Sequence, residues 1–117
     1  MQSGVAMRGN EGLALRCLGP LQIVRDGEPI PLPASRKVRA LLAYLALARR
    51  PVTRAHLCAL LWDRPGDPRG ELRWSLCKLR AIVDAPGQPR LQADGDAVRL
   101  DLDDARFDVR ELERAVQ

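Results

Sequence analysis

Aromatic residues are nearly missing from this 117-residue chain, which has two tryptophans, one tyrosine and one phenylalanine. Its core must therefore be aliphatic, and each aromatic that leaves the core needs a reason. Histidine occurs once and cysteine three times. Cys17, Cys58 and Cys77 are odd in number and far apart, unlike a disulfide framework. Cys17 alternates with Leu15 and fits a small core hydrophobe. His56 and Cys58 lie close together, but they have no Cys-x-x-Cys or His-x-x-x-His companion, so a zinc site is not expected. No apolar run reaches the ~18 residues of a membrane span. The opening "MQSGVAMRGNEG" lacks the hydrophobic segment of a secretory signal. Residues 1–12 are expected to form a flexible polar tail, and a cytoplasmic location follows by default. A Gly-rich phosphate loop, a Ser-His-Asp arrangement and clustered metal ligands are all missing, so catalysis and cofactor chemistry lack their parts.

What the chain does have is charge, unevenly placed. From Ser35 to Arg80 eleven bases meet three acids, a net +8, whereas the whole chain carries +4. From Ala81 onward five bases meet nine acids, and the first 34 residues balance at three each. A lone Arg-rich helix is usually just a solvated surface. Here the bases span three successive expected helices, and a concentrated positive field of that kind favours a polyanion.

The patterning is that of an α+β domain. "LALRCLG" and "LQIVRDGEPIPL" alternate apolar and polar residues, and Asp26-Gly27 signals a tight turn, so two or three short strands are expected from about Leu13 to Leu32. Pro29, Pro31 and Pro33 discourage further pairing. Ser35 is an N-cap for "RKVRALLAYLALA", whose Val38, Leu41, Leu42 and Leu45 form an apolar stripe. Thr53 caps "RAHLCALLW", expected to bury Leu57, Leu60 and Leu61. After the breaker "DRPGDP", Asp67 caps a third helix with Pro68 at its first position. "RLQAD", a turn at Gly95 and "AVRLD" form a hairpin. Strands, three helices and a hairpin follow one another in the order of a winged helix-turn-helix with an N-terminal antiparallel sheet and a hairpin wing. "DVRELERAVQ" is a helix start without a cap, so the chain is expected to continue beyond it.

The third helix carries the candidate site. Leu72, Leu76, Leu79 and Val83 cluster on one side at about 100° per residue. Gly70, Trp74, Cys77 and Ala81 fall roughly opposite, flanked by Arg73 and Lys78. Cations on such a face reach guanine acceptors or phosphates, and an apolar group meets thymine methyls. Gly70 and Ala81 are small enough to permit close approach. The bland alternative, in which Trp74 folds back into packing, is about equal on the helix pattern alone. Arg36 and Lys37 at the first helix, Arg54 at the second and Arg69 at the third add charge at helix N-termini, which favour anions. Trp62 suits packing, although its indole N–H can donate to a phosphate.

The stretch "LGPLQIVRDGEPIPLPASRKVRALLAYLALARRPVTRAHLCALLW" followed by "LRWSLCKLRAIVD" resembles the OmpR/PhoB-type winged helix that begins SARP-family bacterial transcription regulators. The resemblance covers roughly residues 13–104 and is distributed along the chain. It implies an N-terminal sheet, a third helix lying in the DNA major groove and a hairpin wing near the minor groove. It further implies that the Asp63–Asp67 loop can face RNA polymerase in activators, and that copies of the domain associate on tandem promoter sites. The outward positions map to Arg73, Trp74, Ser75, Cys77, Lys78 and Arg80. Trp74 replaces a smaller apolar residue and Cys77 a frequent arginine, which leaves the preferred DNA sequence open. Asp94 and Asp96 flank Gly95 where a basic or neutral wing tip would suit the minor groove. Arg90 and Arg99 are then the better-placed wing contacts. "FDVRELERAV", within residues 105–117, resembles the entry into the activation domain that follows this module. The competing expectation is a protein-interaction module on a winged-helix scaffold that no longer reads DNA, because an outward aromatic also suits a protein partner.

Overall fold

Asp26 and Gly27 close a tight hairpin with φ of 52° and 83°. Two successive left-handed residues are the signature of the two-residue turn whose twist matches paired strands. In the computed structural model, which describes residues 12–117, this turn joins β2 (Gln22–Arg25) to β3 (Glu28–Ile30). The tail expected at residues 1–12 lies, apart from Gly12, outside the described residues. β1 (Leu13–Arg16) pairs antiparallel with β2, Leu15 opposite Ile23. Alternation turns Leu13 and Leu15 inward, and both are buried with Ile23.

The described residues divide into two compact units, the first comprising residues 12–32 and 102–117 and the second residues 33–101. In the first unit β7 (Arg106–Phe107) runs parallel to β1 and completes a four-stranded sheet of order β3-β2-β1-β7. The sheet expected to be antiparallel is therefore mixed. A two-residue strand has no alternation to detect, and only its pairing reveals it. Phe107 is buried, and α4 (Asp108–Ala115) follows directly. The Asp108 carboxylate accepts hydrogen bonds from the backbone N–H groups of Cys17 at 2.9 Å and Leu18 at 3.1 Å. Burial, and then the Asp108 charge, push the Cys17 thiol pKa up.

The second unit holds three helices and a sheet. α1 (Arg36–Leu47) buries Val38, Leu41, Leu42, Leu45 and Ala46, and Ser35 Oγ accepts from Val38 N–H. α2 (Arg54–Leu61) is capped by Thr53, whose Oγ1 accepts from His56 N–H at 3.1 Å. α3 (Pro68–Val83) is capped by Asp67, whose Oδ1 accepts from Gly70 N–H at 3.1 Å, with proline at its first position. β5 (Leu91–Asp94) and β6 (Ala97–Leu100) form the hairpin, register Leu91↔Leu100 to Asp94↔Ala97. The short strand β4 (Val52–Thr53), invisible in the sequence pattern, pairs antiparallel with β6 and gives a sheet of order β4-β6-β5.

α2 departs from expectation. Leu57 is fully buried, but Leu61 is half-buried and Leu60 is 49% exposed. Two turns of helix meet the core through only a narrow stripe. Trp62, just past the last turn, is buried in their place. Among the described residues no helix is long and apolar enough to cross a membrane, and no group of three or more metal-ligating side chains occurs.

Candidate nucleic-acid interface

α3 is anchored by the residues its periodicity singled out. Leu72, Leu76, Leu79 and Val83 are all buried. Full burial of one such side chain stabilises by about 1.5–3 kcal/mol, so four of them fix the rotation of the helix about its axis. The opposite face is consequently committed to solvent. Trp74 is 56% exposed there, with Arg73, Cys77 and Lys78 also exposed. Lys78 Nζ lies 5.0 Å from the Trp74 ring centroid. One helical turn separates the two residues, and a cation over the indole face holds both side chains in place. The indole therefore neither folds back into packing nor hangs free.

The rest of the ridge is basic. Arg69, in the first turn of α3, is exposed and makes an ion pair with Asp96 of the β5–β6 turn, Nη1 to Oδ1 3.6 Å. This link between the wing tip and α3 had no signal in the sequence, because the residues are 27 positions apart and meet only once β4 and β6 pair. The pairing continues into the backbone, where Arg54 N–H donates to Asp96 C=O at 2.7 Å. The wing tip and the start of α2 are thereby joined. Arg36 and Lys37 stand exposed at the first turn of α1, and Arg54 is half-buried at the start of α2. Arg99 points outward from β6, 3.9 Å from Asp101. Arg80 is half-buried on the flank of α3.

Three expected contact residues are turned inward. Ser75 is 2% exposed because it neighbours Leu76 and falls one turn from Leu72 and Leu79, inside the buried arc. Arg90 is 3% exposed: Nη1 donates to Val83 C=O at 2.6 Å and Nη2 to Gln88 Oε1 at 2.9 Å. It closes the C-terminal end of α3, where a cation complements the exposed carbonyls, so it is not a wing contact. Trp62 is buried, with Lys37 Nζ 5.8 Å from its ring centroid. Packing uses this indole.

Gly70 has a role other than close approach to a ligand. A Cβ placed on it would collide with the Asp67 carboxylate. The missing side chain makes room for the cap that starts α3. His56, considered beside Cys58, is instead hydrogen-bonded through Nε2 to Tyr44 Oη at 2.9 Å.

No protein-family model matches the chain. The transcriptional regulatory protein EmbR of Mycobacterium tuberculosis is 36% identical over 98 residues, which span 79% of this chain and 25% of that relative, and EmbR of Mycobacterium bovis matches to the same extent. The chain thus spans about a quarter of the length of the curated relatives it matches. The structure of M. tuberculosis EmbR in complex with a low-affinity phosphopeptide superposes with a TM-score of 0.67 at 35% identity, over 79% of this chain and 26% of that one. The response regulator DrrB, a Thermotoga maritima OmpR/PhoB homologue, superposes with a TM-score of 0.62 at 25% identity, over 86% of this chain and 49% of that one. With the helix-turn-helix, the hairpin and these likenesses together, the chain belongs with the OmpR/PhoB-type winged helix-turn-helix domains and is similar in sequence and fold to the SARP-family regulator EmbR.

Proposed function

We propose that this chain binds double-stranded promoter DNA in a sequence-specific manner, as the reading domain of a bacterial transcription regulator of the cytoplasm and nucleoid. One observation carries the reading: α3 is locked by four buried aliphatic residues so that Arg73, Trp74, Cys77 and Lys78 face solvent together. In this reading α3 enters the major groove with those four residues at base edges. Arg36, Lys37, Arg54, Arg69, Arg80 and Arg99 lie against phosphates, which position the domain without reading sequence. The resemblance to SARP regulators supports an activator that meets RNA polymerase through the exposed Asp63–Asp67 loop and associates with further copies on tandem sites.

Six phosphate contacts predict a fall in affinity of about a thousandfold between roughly 50 and 200 mM salt. Titration of a labelled duplex across that range tests it, and affinity indifferent to salt refutes it. The acidic wing tip, Asp94 and Asp96, favours a second reading, a protein-interaction module on the same scaffold. Charge reversal at Arg73 and Lys78 separates the two. Loss of DNA binding with the fold intact supports DNA reading, and intact DNA binding with loss of a protein partner supports the second.

A further inference from the structure

We infer that the Trp74–Lys78 pair reads a thymine methyl and a guanine within about two base-pair steps of each other, and that α3 makes no side-chain amide contact to adenine. The inference rests on the DNA-reading function proposed above and deepens it. Its starting point is the chemistry available on the exposed arc of α3. Recognition of adenine by its N6–H2 and N7 pair calls for a side-chain amide, and α3 contains neither Asn nor Gln. Its one carboxylate, Glu71, is an acceptor only. The donors on the arc are Arg73 and Lys78, which match guanine O6 and N7. The apolar surface is the indole, and thymine C5 carries the only methyl group that the major groove displays.

Geometry couples the two readings. Trp74 and Lys78 are one turn apart, an axial rise of about 6 Å at about 1.5 Å per residue. Base pairs step by about 3.4 Å along a strand. A helix lying along the groove therefore places the two side chains over bases about two steps apart. The ammonium 5.0 Å from the ring centroid occupies one side of the indole and leaves the remainder for a methyl contact. The same contact holds the ammonium beside the bases instead of letting it swing to the nearest phosphate. Both residues are exposed, so neither is needed for folding.

The test begins with selection of bound duplexes from a random pool by the whole chain. In the selected site each thymine is then replaced in turn by uracil, which removes only the methyl group, and each guanine by 7-deazaguanine, which removes only N7. One uracil substitution is expected to weaken binding about fourfold, the transfer value of a single methyl-sized group. Trp74→Ala should abolish that sensitivity, and Lys78→Ala should abolish sensitivity to a 7-deazaguanine within two steps, with circular dichroism of both variants unchanged. Uracil that is neutral at every position, or a uracil effect that survives Trp74→Ala, overturns the inference while leaving DNA binding in place. Failure to enrich any duplex overturns the DNA-reading proposal itself, and this inference with it.

Discussion

Arg90 offers the sharpest test, because its position on the hairpin suggests one role and its surroundings enforce another. As a wing contact it would meet phosphate, and its loss would weaken DNA binding without touching stability. In the structure its guanidinium is buried and donates to the Val83 carbonyl at the end of α3 and to Gln88 Oε1. Hydrogen bonds from a charged donor contribute about 1.5–3 kcal/mol each. Arg90→Ala removes two and strands a carbonyl at the end of the helix. Allowing for water entering the gap, the expected loss is about 3 kcal/mol. For a domain of this size that lowers Tm by about 12 °C. Arg90→Lys keeps the charge but loses the planar fork, so its Tm should fall in between. Thermal unfolding followed by circular dichroism measures both. The DNA assay supplies the cross-check: below the lowered Tm, the slope of affinity against salt should match that of the parent chain. A Tm within about 2 °C of the parent, together with a slope reduced by about 0.9, the value of one lost phosphate contact, would refute the structural role.

Asp96→Asn should release Arg69 from its ion pair. Stability changes by less than about 1 kcal/mol for so exposed a pair, while DNA affinity, read in the same duplex titration, rises because Arg69 meets its phosphate without first giving up the Asp96 carboxylate. In α2, Leu57→Ala should cost about 2–5 kcal/mol, whereas Leu60→Ala should stay within about 0.5 kcal/mol, as chemical denaturation would show. Phe107→Ala should cost about 3–5 kcal/mol by the same measurement, because Phe107 is buried on a strand paired with β1. At pH 8 Cys77 should be alkylated much faster than Cys17. Burial and the Asp108 charge raise the Cys17 pKa, so its reactive thiolate is scarcer until the pH climbs further. Peptide mapping after brief treatment with iodoacetamide reads the order, and equal rates would contradict it.

Local signals in the sequence determined the elements that act locally. Ser35, Thr53 and Asp67 each cap the helix they precede, since a capping side chain reaches only three residues ahead. The Asp26-Gly27 turn and the leucine stripe of α3 are likewise properties of a dozen residues or fewer, and the stripe places Trp74 and Lys78 on the opposite side of the helix, although only the packed structure decided that the indole stays exposed there. Tertiary structure decided whatever depends on residues meeting across the chain. β4 and β7 are two residues long and exist only through their partners β6 and β1. Leu60 has the composition of a core residue, yet in α2 it is Leu57 that is buried, with Trp62 buried just past the helix. Arg90 and Ser75 look like surface residues in a list. One is buried by the α3 carbonyl it satisfies, and the other by a place inside the leucine arc. Periodicity fixes which way a side chain leaves its own helix or strand, but whether solvent or another element waits there is settled only when the chain packs.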